Sequence, residues 1–150
     1  MLGELTPEQI NAVLFSEVVG RVGCYNEGRT YVVPITYVFD GDAVNAHSAE
    51  GLKIKMMRAN PNVCFQVDQR DNLANWRSVV AWGVYEELHG KEALDALQIL
   101  VARLMPLVTS ETLRLPDHLS LASAKPVADA PKTVIYRIRL TERTGRFEKR

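Results

Sequence analysis

The chain opens with a helical rhythm. Ile10, Val13 and Leu14 form an apolar stripe at helical spacing, and Thr6, Pro7 and Gln9 stand just ahead of them. Thr6 suits an N-cap, Pro7 the first helical position, and Gln9 completes a capping box. This predicts a first helix that ends at Gly20. The period then changes to two. Arg21 to Tyr25 reads as a short strand, Asn26-Glu27-Gly28 as a turn with positive φ at the glycine, and Arg29 to Phe39 as a long strand rich in β-branched and aromatic residues. Asp40-Gly41-Asp42 is a second hairpin turn, leading into a strand from Ala43 to His47. Pro34 interrupts the long strand. Proline cannot donate to a ladder, so the strand is expected at an edge or bulged there.

Gly51 to Asn60 reads as a short helix with Leu52, Met56 and Met57 inward, stopped at Asn60-Pro61. Asn62 to Val67 is a fourth strand, Asp68 to Asn75 a polar loop, and Arg77 to Leu88 a fifth strand bent at Gly83. Lys91 to Met105 carries Leu94, Leu97, Val101 and Leu104 at helical spacing and stops before Pro106. Leu107 to Ala130 shows no clear element, a pattern expected of a flap, an interface arm or a disordered loop. Lys132 to Thr141 alternates as a sixth strand, and Thr144-Gly145 is a turn before a basic tail. Strands joined mainly by hairpins, with helices outside them, predict an α+β, mainly β fold. It is a six-stranded antiparallel barrel, expected as a single domain over 1–150.

Composition narrows the function classes. The 150 residues hold 18 Lys plus Arg and 18 Asp plus Glu, so the formal charge is zero. Nucleic-acid and anionic-membrane binders need a basic excess, so neither partner is expected. Apolar residues make up 47% and charged residues 24%, an ordinary globular balance. Cys24 and Cys64 lie in apolar runs without metal-ligand spacing, which predicts free thiols and no metal site. No apolar stretch follows a basic start, and no run reaches the length of a membrane span. The expectation is a cytoplasmic protein.

No G-x-S-x-G, no His pair at i, i+4 and no P-loop occurs, and His47, His89 and His118 are scattered. The segment His47-Ser48-Ala49-Glu50-Gly51-Leu52-Lys53 is different. It joins a strand to a helix and sets hydroxyl, amide and ammonium donors at the helix start, where unpaired N–H groups and the positive dipole end suit a phosphate. A plain Ser48 N-cap beside two solvated lysines, Lys53 and Lys55, accounts for the same residues equally well. Trp76-Arg77-Ser78-Val79-Val80 sets a hydroxyl among bulky neighbours, and Val33-Pro34-Ile35-Thr36-Tyr37 leaves backbone free for the edge of a flat heterocycle. Each of these two has an ordinary reading as well, a core strand and an edge strand.

In this order and spacing the segments resemble the pyridoxamine 5′-phosphate oxidase-like flavin-binding proteins, and within them the branch of the nitroimidazole-resistance proteins. Gly20-Arg21-Val22-Gly23, Pro34-Ile35-Thr36-Tyr37, His47 to Lys53 running on to Arg58-Ala59-Asn60-Pro61-Asn62-Val63-Cys64-Phe65, Trp76 to Val80, and Tyr136-Arg137-Ile138 with Thr144-Gly145-Arg146 carry the likeness. The resemblance implies a split β-barrel of Greek-key type, a homodimer, and FMN in clefts where the two subunits meet. It implies Lys53 on the FMN phosphate, helped by His47 and Ser48, with Pro34, Ile35 and Thr36 lining the isoalloxazine. Ser78 and Val79 would approach the ring, and Trp76 would wall the cleft. The true vitamin-forming oxidases carry an Arg and a Lys where this chain has Tyr31 and Thr36, and an Arg-rich ending that Arg143-Thr144-Gly145-Arg146 matches poorly. Pyridoxamine 5′-phosphate is therefore not the expected substrate. An FMN-dependent oxidoreductase acting on a small molecule, with NAD(P)H as a candidate donor and no nameable catalytic residue, is the leading expectation. A flavin or haem carrier without turnover is the alternative, and a ligand-free dimerisation barrel ranks last.

Overall fold

A computed structural model of the chain describes residues 1–107 and 133–150. The elements run β1 (Leu2–Glu4), α1 (Pro7–Ser16), β2 (Val19–Asn26), β3 (Arg29–Thr36), β4 (Val38–Phe39), β5 (Ala43–Ala49), α2 (Leu52–Ala59), β6 (Asn62–Asn72), β7 (Asn75–Glu87), α3 (Gly90–Leu104) and β8 (Thr133–Glu148), with a 3₁₀ turn at Met105–Leu107. The expectation for 107–130 otherwise falls outside the described residues.

Every strand pairing is antiparallel, and the sheet order is β3-β2-β6-β7-β8-β5-β4, with β1 on the far end of β8. The long strand expected from Arg29 to Phe39 is therefore two. β3 lies at one end of this order and β4 at the other, and Tyr37 alone separates them. Two ends of a sheet joined by one residue can exist only if the sheet curls until they meet, which makes the barrel. Tyr37 fixes the junction: its N–H donates to the Val18 carbonyl at 2.8 Å, and its buried phenol donates to the Leu14 carbonyl at 2.9 Å, tying α1 to the seam. Among the described residues Pro34 does lie on an edge strand, since β3 stands at the end of the sheet order and pairs with β2.

Alternation sorts the strands into two faces. Val22, Cys24, Ile35, Phe65, Val67, Val79 and Ala81 point inward to one core with Val13, Leu14, Ile54 and Met57 of the helices. The capping box at Thr6 forms in both directions, Gln9 N–H to Thr6 Oγ1 at 3.2 Å and Thr6 N–H to Gln9 Oε1 at 2.9 Å. In the β2–β3 turn, Glu27 and Gly28 both take positive φ, 50° and 79°, the twist a two-residue hairpin needs. At Gly83 the β7–β8 register shifts, and a Cβ there would meet the Arg139 carbonyl oxygen at 2.5 Å. The bend expected at that glycine is this bulge.

Several expectations need correction. α1 ends at Ser16, and Gly20 sits inside β2 against Phe65 rather than ending the helix. In α2 the buried residues are Ile54, Met56 and Met57, while Leu52 faces solvent. In α3 the seam is Ala96, Leu97, Leu100 and Leu104, and Leu94 is 56% exposed. Asp68 to Asn75 is not a loop but the tip of the β6–β7 hairpin, and β8 runs straight through Thr144-Gly145 to Glu148. These tips extend past the core, so main-chain pairing holds them and no apolar alternation marks them.

Candidate functional site

The joint between β5 and α2 gathers His47, Ser48 and Lys53. Gly51, not Ser48, is the N-cap, and it gives no side-chain cap bond, so among the described residues the first amides of α2 have no side-chain acceptor. Ser48 is still in β5, and its hydroxyl donates to the Ala49 carbonyl at 2.8 Å. The plain N-cap reading of Ser48 thus does not hold. Lys53 is half-buried. Burial lowers its pKa, and Cys24 beside it raises it back in part. The neighbourhood is mutual. Burial first, and then the Lys53 charge, lowers the pKa of half-buried His47. Burial first and Cys64 second push the Cys24 thiol up, and Lys53 pulls it back. Cys24 pairs with Tyr31 on β3, α2 packs on β2, and β3 touches β5 across the seam. Among the described residues, a half-buried ammonium without a counter-ion, a neutral imidazole and uncapped helix amides form a donor set that lacks an anion.

The second part of the site is the outer face of β3, β2, β6 and β7. Antiparallel partners share a face, so the register can be read across the sheet as rows. One row is Pro34, Arg21, Gln66, Val80 and Thr144; two residues along, Thr36 pairs with Val19, and Asp68 with Ser78 and Arg146. Pro34, Thr36 and Ser78 therefore share one surface, with Trp76 one row further on. Ile35 and Val79, the residues between, turn inward and are buried in the core. They support this surface but present no side chain to it. Val19, Tyr25, Val32 and Trp82 leave apolar area exposed on the same face, Val32 at 62% and Trp82 at 41%.

Clefts open on the surface of the described residues, two of them beside the strands of the site. The larger, about 700 Å³, is walled by Trp76 with Arg70, Arg77, Phe147 and Lys149. Trp76 Nε1–H donates to Glu148 Oε2 at 3.2 Å, which fixes the indole. The smaller, about 500 Å³, lies on the outer face between Cys64, Val32 and Trp82. Among the described residues the side chains of His47, Lys53, Pro34 and Ser78 line neither cleft. Among the described residues no group of three or more His, Cys, Asp or Glu is placed to hold a metal ion, and no helix is long and apolar enough to cross a membrane. Both cysteines are free, Cys24 buried and Cys64 half-buried.

Sequence reasoning missed Gln66 and Asp68. Gln66 Nε2–H donates to Ser78 Oγ at 3.2 Å and to Asp68 Oδ1 at 3.3 Å. The alternation of Cys64, Gln66 and Asp68 against Val63, Phe65 and Val67 does mark the outer face, but it does not say that Ser78 lies opposite Asp68.

The sequence model of a family described as pyridoxamine 5′-phosphate oxidase matches residues 6–147. An uncharacterised protein of Rhizobium meliloti is 27% identical over 146 residues, covering 95% of this chain and 92% of its own. The crystal structure of an FAD-binding protein from Mesorhizobium loti superposes with a TM-score of 0.74 at 28% identity, covering 100% of this chain and 98% of that one. A Bacteroides thetaiotaomicron structure, provisionally described as a 5-nitroimidazole antibiotic resistance protein, has the same fold, with a TM-score of 0.70, 21% identity, and coverage of 98% and 87%.

Proposed function

This chain belongs to the pyridoxamine 5′-phosphate oxidase family, and from that premise we propose that it is a flavin nucleotide-binding oxidoreductase that takes FMN. The observation that carries the proposal is the half-buried Lys53 ammonium, without a carboxylate partner among the described residues, beside the uncapped start of α2. A phosphate monoester supplies the missing charge and accepts from the free amides. Lys53 binds it as a point charge, while His47, held neutral by burial and by Lys53, adds one ring N–H without adding repulsion to the site. Ser48 stands at the rim. The donor set thus fits the group.

From the phosphate, the ring would extend along the free edge of β3. Pro34 and Thr36 offer it a wall there, and the Ile35 main chain lies between them. Ser78 and Trp76 belong to the same outer face, backed by the buried Val79. When bound, the flavin supplies hydride or electron transfer, and the protein supplies orientation and field. A flat ring on so shallow a surface stays wet unless something covers it. The exposed Val19, Tyr25, Val32 and Trp82 supply an apolar area that a second copy of the chain would bury, so a homodimer with flavin between the subunits completes the reading. The name of the Mesorhizobium loti relative supports a flavin. Two free thiols suit a reducing compartment such as the cytoplasm.

Titration of the purified protein with FMN, FAD and riboflavin, followed by flavin fluorescence, tests the reading. Saturable uptake of FMN at micromolar concentrations is expected, together with dimers in sedimentation. No saturable uptake of any flavin refutes it. NADPH or NADH oxidation by the loaded protein at a rate no faster than free FMN would leave a carrier, and a Soret band in the isolated protein would point to haem instead.

A further inference from the structure

We propose that Gln66 is a positioning residue that aims the Ser78 hydroxyl proton at the polar edge of the bound flavin ring. The inference rests on the flavin reading above and goes beyond it by assigning a direction to one hydrogen bond.

The direction follows from the chemistry of three side chains. Gln66, Asp68 and Ser78 lie together on the outer face of β6 and β7, each half-buried. An ionised carboxylate has no proton to give, so the group facing Asp68 Oδ1 must be the nitrogen of the Gln66 amide and not its oxygen. That settles which way the amide is turned. Its Nε2 lies 3.3 Å from Asp68 Oδ1 and 3.2 Å from Ser78 Oγ, so its two hydrogens go one to each. Ser78 Oγ is thereby an acceptor within the sheet. Among the described residues the hydroxyl's own proton has no recipient, and it is left to point away from the sheet. Arg21 stands 3.5 Å from the same Asp68 oxygen, an exposed contact that adds little energy but leaves the carboxylate facing Gln66.

The surface toward which that proton points is the one shared with Pro34 and Thr36. The polar edge of an isoalloxazine carries acceptors, two carbonyl oxygens and two ring nitrogens without hydrogen, beside a single ring N–H donor. A hydroxyl with its proton turned outward matches them, whereas one with its lone pairs turned outward repels them. The negative charge that the ring gains on reduction strengthens such a bond. Gln66 therefore acts through Ser78 on the reduction potential of the flavin more than on its affinity in the oxidised state.

Four variants test this: Ser78→Ala, Ser78→Thr, Gln66→Met and Gln66→Glu. Gln66→Met removes the amide without adding charge. Gln66→Glu is nearly isosteric but reverses the bond, since its carboxylate accepts the Ser78 proton. The readouts are the midpoint potential of the bound flavin and the dissociation constant of the oxidised form. Ser78→Ala and Gln66→Met should each lower the potential by about 30 mV, a tenfold weaker preference for the reduced over the oxidised form in a two-electron couple. Ser78→Thr should keep the wild-type potential. In the Ser78→Ala background Gln66→Met should shift it no further, because it acts through the same hydroxyl, whereas Gln66→Glu keeps the direct effect of its added charge. Gln66→Met leaving the potential unchanged while Ser78→Ala lowers it overturns the proposal, as does a Gln66→Met shift of equal size with and without the Ser78 hydroxyl. Wild-type protein that takes up no flavin overturns the flavin reading and this inference with it. A wild type that binds flavin but ignores Gln66 overturns this inference alone.

Discussion

Replacing Lys53 by alanine should weaken FMN binding and leave riboflavin binding almost untouched. The ammonium is half-buried, and among the described residues no carboxylate balances it. Its removal therefore strands no buried partner, and the loss measures its action on the ligand. Two unit charges about 4 Å apart attract by roughly 4 kcal/mol at an effective dielectric of about 20. Half-exposure and the desolvation of both groups reduce this to the net worth of one charge-assisted hydrogen bond, about 1.5–3 kcal/mol. That is a loss of about ten- to a hundredfold in affinity. Riboflavin has the ring and ribityl chain but no phosphate, so its affinity should change by less than about 0.5 kcal/mol, the scale of a substitution away from any special feature. Fluorescence titrations of wild type and variant with both ligands give the four constants. The same cation is a burden to the empty protein, because burial disfavours its charged form. Lys53→Met should thus raise the thermal midpoint of the apoprotein while weakening FMN. Equal weakening of FMN and riboflavin, or none of FMN, refutes the assignment of Lys53 to the phosphate.

His47 titrates below the ordinary histidine value because of burial and the Lys53 charge. Between its folded pKa and about 6.5 the unfolded chain therefore binds more protons than the native one, and stability falls as the pH drops through that window; denaturant melts from pH 8 to 5 should show this slope, and His47→Gln should remove it. Gly83→Ala places a Cβ 2.5 Å from the Arg139 carbonyl oxygen at the β7–β8 bulge; the overpacking should destabilise by about 1–3 kcal/mol, and an unchanged melting temperature would contradict the bulge. The two fully buried tyrosines should respond differently: Tyr37→Phe loses the bond to the Leu14 carbonyl and about 1 kcal/mol, whereas Tyr136→Phe deletes a hydroxyl with no partner among the described residues and should leave stability equal or higher, so calorimetry showing that Tyr136→Phe destabilises would place an acceptor there.

The readable parts of the sequence were those where one local cause fixes one local structure. The capping box at Thr6, the positive φ at Gly28 and the edge position of Pro34 each follow from a single residue's chemistry. The joint from His47 to Lys53 was legible for the same reason, since a helix start declares itself. What stayed hidden depends on partners distant in sequence. Nothing near Tyr37 says that the strand before it and the strand after it end on opposite edges of the sheet. β6 and β8 outrun their apolar alternation because β7 pairs with both of them to the tip. The bond from Gln66 to Ser78 needs the cross-strand register, which no single segment contains. Ile35 and Val79 entered the site through neighbours in the chain, and the strand's alternation sets their side chains on the other face.

The central claim is that the start of α2 holds a flavin's phosphate. A crystal structure of the chain grown with FMN tests it directly. The account predicts the phosphate within hydrogen-bond distance of Lys53 Nζ and the first amides of α2, with the ring between two copies of the chain. FMN bound elsewhere, or its phosphate on another cation with Lys53 facing solvent, contradicts it.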